Sequence, residues 1–209
     1  MKLAYCLNVY SNEAALRNNI EIINHHFNVP PIFVASNGIF PSVYPPNVRF
    51  RRWGENQGWQ LGALNSSLQA IKFAAESLEN PEEYNVIFCH DDVFPHNTQK
   101  INSLLEELSD YDLIVRRHVG RWTNGDRTRP YYMLEDIMLS GRVLNKFRTV
   151  PVVRWLDYSA EETFGNILFE MGLKTKEILL LMESNLVARA KISNKVQSFS
   201  CPFCKLVST

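Results

Sequence analysis

Short apolar runs alternate with amphipathic stretches from the first residues to about position 115, and each apolar run gives way to a polar cluster. Leu3–Tyr10 is apolar with little alternation, the pattern of a strand covered on both faces. Ser11 and Asn12, both good helix N-caps, precede Leu16, Ile20, Ile23 and Phe27, whose spacing predicts an amphipathic helix that Pro30-Pro31 stops. Ile32–Ala35 reads as a second buried strand ending at Ser36-Asn37-Gly38, and Val48–Trp53 as a third. Leu61, Leu64, Leu68, Ile71 and Ala75 mark a long helix, and Tyr84–Cys89 a strand that runs straight into His90-Asp91-Asp92. Ile101 to Leu108 predicts a shorter helix, and Leu113–Val115 begins a further strand.

This rhythm predicts βαβ units, hence an α/β domain with a mostly parallel central sheet flanked by helices. Right-handed crossovers would put the strands' carboxyl ends along one edge, where open α/β sheets bind ligands. Asn8–Asn12, Asn37-Gly38 and His90–Asp92 all fall at such ends. Beyond residue 118 the rhythm loosens: Arg121–Pro130 reads as a polar loop, Tyr131–Leu139 as a strand, and Ser140-Gly141 as a turn into a short helix. Ser159-Ala160-Glu161-Glu162 fits a capping box for a helix carrying Phe164, Ile167, Leu168 and Met171 and stopped by Gly172. Glu177–Met182 is a candidate last strand. The expected division is one domain over 1–183 with a polar tail over 184–209.

Composition narrows the function classes. The 22 Lys and Arg balance 22 Asp and Glu, so no long-range pull toward nucleic acid or an anionic membrane is expected. No apolar run reaches ~18 residues, so no transmembrane helix is expected. The N-terminus reads as a buried strand rather than a secretory signal. Four cysteines, at 6, 89, 201 and 204, are too few for a disulfide scaffold. Together these features predict a cytoplasmic protein. Cys201 and Cys204 lack a second pair that would complete a zinc site.

Two adjacent carboxylates, Asp91 and Asp92, at the end of a buried strand need their charge compensated. A divalent cation such as Mg²⁺ or Mn²⁺, which prefers oxygen ligands and bridges to substrate phosphates, supplies that compensation. A pair of turn or N-cap aspartates ahead of the next helix is the competing reading. Upstream, Gly58 and Gly62 lie one helical turn apart at a strand-to-helix junction, where a helix N-terminus favours a phosphate. Their spacing matches neither the P-loop nor the Gly-x-Gly-x-x-Gly dinucleotide fingerprint. Trp59, beside them, suits either a stacking role or the core.

Val9-Tyr10-Ser11-Asn12-Glu13, Ser36-Asn37-Gly38, Asn56-x-Gly58-x-x-x-Gly62-Ala63-x-Asn65 and the strand ending in His90-Asp91-Asp92 occur in that order. This set resembles the GT-A fold glycosyltransferases, in the style of family 2, over about residues 3–175. The resemblance implies a single-domain, Rossmann-like nucleotide-diphospho-sugar transferase fold. It implies a UDP- or GDP-sugar donor, a glycan or glycoprotein acceptor, and Mn²⁺ or Mg²⁺. Asp92 would be the direct metal ligand and Asp91 would contact the ribose or the metal shell. Asn8, Val9 and Tyr10 would hold the base. Asn37 and His90 stand where the family usually has acids. The resemblance also places Glu161 at the catalytic acidic position, with Asp157 and then Glu162 as the next candidates for the base that deprotonates the acceptor hydroxyl. Glu162 also suits the capping box.

Arg116, Arg117, His118, Arg121, Arg127 and Arg129 are candidates to face a diphosphate, though a solvated surface explains them too. His25-His26, at a helix end, suits a favourable charge at a helix C-terminus. Two rivals differ in class: a sugar-phosphate nucleotidyltransferase, and a non-catalytic sugar-nucleotide or glycan-binding module. The first should carry an early Gly-rich basic loop, which residues 8–20 lack. The length also suits one domain of a longer, multidomain polypeptide.

Overall fold

The computed structural model describes residues 1–38, 43–54, 57–91, 93–117, 132–157, 159–178, 182–183 and 203–205. Strand β1 (Lys2–Val9) leads into helix α1 (Glu13–Phe27), whose first turn is capped by Asn12 accepting from the Ala15 N–H at 3.0 Å. The helix ends one residue earlier than the prolines require, because Asn28 takes a left-handed conformation at φ 54°. Strand β2 (Ile32–Ser36) and strand β3 (Val48–Arg52) follow, then helix α2 (Trp59–Ser77), strand β4 (Tyr84–His90) and a three-residue strand β5 (Val93–Pro95). Helix α3 (Thr98–Glu107) is capped by Asn97, whose side chain accepts from the Lys100 N–H at 3.0 Å. Strand β6 (Leu113–Arg117), strand β7 (Tyr132–Leu139), short helix α4 (Leu144–Phe147), helix α5 (Ala160–Glu170) and strand β8 (Thr175–Ile178) complete the main domain.

Seven of these strands form one sheet in the order β3-β2-β1-β4-β7-β6-β8. Strands β3, β2, β1 and β4 are parallel, β7 runs antiparallel to both neighbours, and β8 is parallel to β6. The expected mostly parallel sheet is therefore interrupted by one reversed strand. An apolar run buried on both faces looks the same in either direction, which is why the reversal left no trace in the pattern.

The sheet divides the core into two layers. Cys6, Phe33, Phe88, Val115 and Ile137 face α2, α4 and α5, while Tyr5, Leu7, Val34, Ile87, Ile114 and Met138 face α1 and α3. Burial of each large side chain contributes on the order of 1.5–3 kcal/mol, so this double layer is what fixes the strand ends in space.

Chain direction then sets the site. From β1 the chain moves outward through α1 to β2 and β3, and then returns through α2 to β4 on the other side of β1. The crossover direction therefore switches between β1 and β4, opening a crevice at their carboxyl ends. The last strand begins two residues before the predicted one. Two further short strands, β9 (Met182–Glu183) and β10 (Phe203–Lys205), join β5 in a small second sheet, so residues 203–205 pair directly after the acidic turn.

Candidate active site

At the carboxyl edge, five segments are fastened to one another by polar contacts. Asn8, 6% exposed at the end of β1, donates its amide to the hydroxyls of Ser66 and Ser67 on α2, at 3.2 and 3.3 Å. Both hydroxyls in turn donate to the Ala63 carbonyl. The Asn8 carboxamide oxygen is buried and accepts no hydrogen bond among the described residues. The Asp91 N–H donates to the Asn8 carbonyl at 3.1 Å, so the acidic turn begins directly against the end of β1.

Two glycines let the neighbouring loops close on this point. A Cβ on Gly38 would stand 2.0 Å from the Tyr10 carbonyl oxygen, so only glycine lets the β2 end pass beneath the β1 end. A Cβ on Gly62 would meet the Asn37 amide nitrogen at 3.0 Å, so the end of β2 lies against the first turn of α2. Gly58, the N-cap of α2, has φ 77°, a conformation glycine adopts without strain. The amino end of α2 therefore points at the crevice with its positive dipole end.

Two further asparagines, Asn19 and the Asn65 that ends the glycine motif, hold this arrangement. Asn19, 1% exposed on α1, donates its amide toward the carbonyls of His90, Asp91 and Val93, the nearest at 2.6 Å. It fixes the backbone of the acidic turn from below. Asn65, wholly buried on α2, donates to the Gln57 side chain at 2.7 Å and to the Val153 carbonyl at 2.8 Å, and accepts from the Val153 N–H at 2.8 Å. That clamp ties the 149–157 segment to the start of α2. The signal for both was a polar residue on an otherwise apolar helix face: position 19 lies between Leu16 and Ile23, and position 65 between Leu61 and Leu68.

The predicted residues thus divide clearly. Asn8, Val9, Tyr10, Asn37 and Asp91 converge on the crevice; Val9 is core-facing, whereas Tyr10 is 50% exposed at its rim. The Trp59 backbone begins α2, and its side chain, like Asp92, lies outside the described residues. Glu161 and Glu162 occupy the first turn of α5, and the Ser159 hydroxyl accepts from the Glu162 N–H at 3.2 Å. The hydroxyl also donates to the Glu162 carboxylate at 3.5 Å, so the N-cap half of the expected capping box forms, and Glu162 meets the Ser159 hydroxyl rather than its backbone N–H. Because β8 follows α5 after four residues and starts level with β6, α5 begins at the carboxyl edge and runs back. Asp157, exposed three residues before α5, lies at that same edge.

The basic residues separate as well. Arg116 is largely buried, with its guanidinium 3.5 Å from the wholly buried carboxylate of Asp136. Asp136 stands opposite Cys89 in the β4–β7 register, one residue before the acidic turn begins. It shares its strand face with Met138, an interior position, which was the missed cue. The Arg117 side chain, His118, Arg121, Arg127 and Arg129 lie outside the described residues. At the end of α1, burial first, then His25 and His96, hold the His26 imidazole below its ordinary pKa, so it adds little charge there at neutral pH. Cys6 and Cys89 are buried thiols, and burial pushes the Cys6 thiol up. Cys201 lies outside the described residues.

No family model and no curated protein sequence matches the chain. Solved structures do match its fold. The galactosyltransferase LgtC, in complex with donor and acceptor sugar analogues, is 12% identical with a TM-score of 0.57, covering 100% of this chain and 87% of that one. A glycosyltransferase involved in glycosylation of the major capsid of PBCV-1 is 11% identical with a TM-score of 0.59, covering 100% and 96%. The bifunctional IspDF from Campylobacter jejuni is 13% identical with a TM-score of 0.56 over 85% of this chain and 49% of that one. At such identities the likeness establishes architecture. The chain has the α/β fold of the GT-A nucleotide-diphospho-sugar transferases, with a hydrogen-bonded polar cluster at the switch point of the sheet.

Proposed function

We propose that the protein is a metal-dependent glycosyltransferase that moves a sugar from a UDP- or GDP-sugar to a hydroxyl of a glycan or glycoprotein. The observation that carries this reading is the convergence of Asn8, Asn37-Gly38, the amino end of α2 and Asp91 on one crevice, in a fold shared with glycosyltransferases. The Asn8 carboxamide offers a buried acceptor beside the base position, and the exposed Tyr10 ring offers a stacking face for the base. The α2 amino end favours the diphosphate.

Asp91 stands on a turn whose backbone is pinned by Asn8 and Asn19, and with Asp92, the next residue in the sequence, it would supply an oxygen-only donor pair. Such a pair fits a cation that takes one or two protein carboxylates and completes its shell with phosphate oxygens and water. Bound there, Mn²⁺ or Mg²⁺ would neutralise charge on the departing diphosphate. A carboxylate at the start of α5, Glu161 or Asp157, takes the proton from the acceptor hydroxyl. The acceptor oxygen then bonds to the anomeric carbon as the bond from that carbon to the phosphate oxygen breaks. Glu162 is the weakest candidate base because the cap engages it.

Turnover of UDP- and GDP-sugars, including slow hydrolysis by water, tests the reading. Metal-dependent release of the nucleoside diphosphate that disappears in Asp92→Asn is expected. Binding without any turnover in the wild-type protein would move the assignment to a sugar-nucleotide-binding module, and pyrophosphate release from a nucleoside triphosphate would move it to a nucleotidyltransferase.

A further inference from the structure

Beside the crevice lies a second concavity that the donor-site reading does not use. It is an open groove of about 760 Å³ between the 149–157 segment and the outer face of α5. That volume lies within the range of small-molecule sites. Its floor is apolar, formed by Val150, Val153, Ile167 and Met171. At the far end the Lys146 ammonium donates to the Met171 carbonyl at 2.9 Å and closes the groove.

The lip is unusual for a surface. Trp155 is 69% exposed, an indole held out toward solvent on an irregular segment. Around it stand three charged side chains, those of Arg154, Asp157 and Glu170, and none of them has a hydrogen-bond or ion-pair partner among the described residues. The segment is not loose, since wholly buried Asn65 fixes Val153 to α2 through two hydrogen bonds and is itself held by Gln57. An exposed aromatic face, an apolar floor and unengaged donors and acceptors of both signs suit a neutral polyhydroxylated ligand. A pyranose presents C–H bonds to the indole and hydroxyls to the charged rim. The charges of the lining balance, Lys146 and Arg154 against Asp157 and Glu170, so the groove has no net pull on a phosphate group or an anionic lipid surface.

We infer that this groove binds the sugar rings of the acceptor, with Trp155 as the stacking platform and Asp157 at the end nearest the crevice. The glycan-binding part rests on the groove alone; the acceptor role rests on the transferase reading above. A saccharide lying along α5 would present its terminal hydroxyl at Asp157, the carboxylate that the groove shares with the proposed chemistry. That placement favours Asp157 over Glu161 as the base, because Glu161 does not line the groove.

The test reads the indole N–H resonance of Trp155 in the full chain, assigned by its loss in Trp155→Phe. Methyl glycosides of glucose, galactose, mannose and N-acetylglucosamine are titrated in the millimolar range. At least one is expected to move the resonance saturably, and Trp155→Ala, whose exposed position leaves the fold intact, is expected to weaken that binding about tenfold as followed on the remaining signals. Absence of movement with every glycoside, equal binding by Trp155→Ala, or movement with anionic vesicles alone overturns the groove. Movement with a glycoside in a protein that binds neither UDP nor GDP keeps the groove as a glycan site and overturns its acceptor role together with the transferase reading.

Discussion

Around the ends of β1, β2 and β4, polar side chains are buried and bonded to one another, whereas along the 149–157 segment and α5 the charged ones stand at the surface. Asn8, Asn19 and Asn65 are each at most 6% exposed, and each spends its amide on a neighbouring element. Arg154, Asp157 and Glu170 are exposed and make no such contact among the described residues. The first region is preorganised: its groups are already oriented, so a ligand that fits meets little further ordering cost. The second is a rim whose side chains keep their rotamer freedom until something binds. In the transferase reading proposed above, the fixed cradle would serve the nucleotide and the adaptable surface a variable acceptor.

Substitutions break the comparison in a graded way. The largest effect is expected for Asn65→Ala, which removes both hydrogen bonds from that side chain to Val153 and leaves the half-buried Val153 N–H and carbonyl without them. Chemical denaturation should register a loss of about 2–4 kcal/mol, with the Trp155 resonance shifted even without ligand. Gly38→Ala comes next, because a Cβ at 2.0 Å from the Tyr10 carbonyl forces the two strand ends apart. A loss of about 1–3 kcal/mol is expected, together with nucleotide affinity, measured by calorimetry; unchanged affinity would show that the β1–β2 junction is not part of the donor site. Asn19→Ala should cost about 1–2 kcal/mol and loosen the acidic turn, seen as faster amide exchange at Asp91 and Val93.

The smallest effect tests the amino edge, at the opposite end of the sheet from the crevice. Burial raises the Asp112 carboxyl, but the Arg142 guanidinium at 2.6 Å and the Lys174 N–H at 2.9 Å outweigh it and hold it below the usual carboxylate range. A lowered folded-state value stabilises the protein above the unfolded-state value, and that contribution disappears as pH falls through the folded-state value. Asp112→Asn should therefore flatten the acid limb of the stability curve while leaving nucleotide binding unchanged.

Much of the half around the crevice was legible because it rests on local rules. Apolar runs gave β1, β2 and β4, side-chain caps gave the starts of α1 and α5, and the strand-end clusters gave the crevice. The other half depends on pairing across long sequence separations, which periodicity does not encode. The reversed direction of β7 left no mark, and β5 and β10 are too short to carry a pattern. Asn65 and Asp136 were visible as polar residues at interior positions, but their partners, Val153 and Arg116, lie 88 residues away in one case and on an adjacent strand in the other. A buried polar residue in an apolar stripe announces that a partner exists without saying where.

The claim that the preorganised crevice is a donor site meets its most direct test in isothermal titration calorimetry of the full chain with UDP- and GDP-sugars, with and without Mn²⁺. The account predicts binding of at least one donor that is strengthened by the metal and lost in Asp91→Asn. No binding of either donor under both conditions, by a protein whose unfolding remains cooperative, would contradict it.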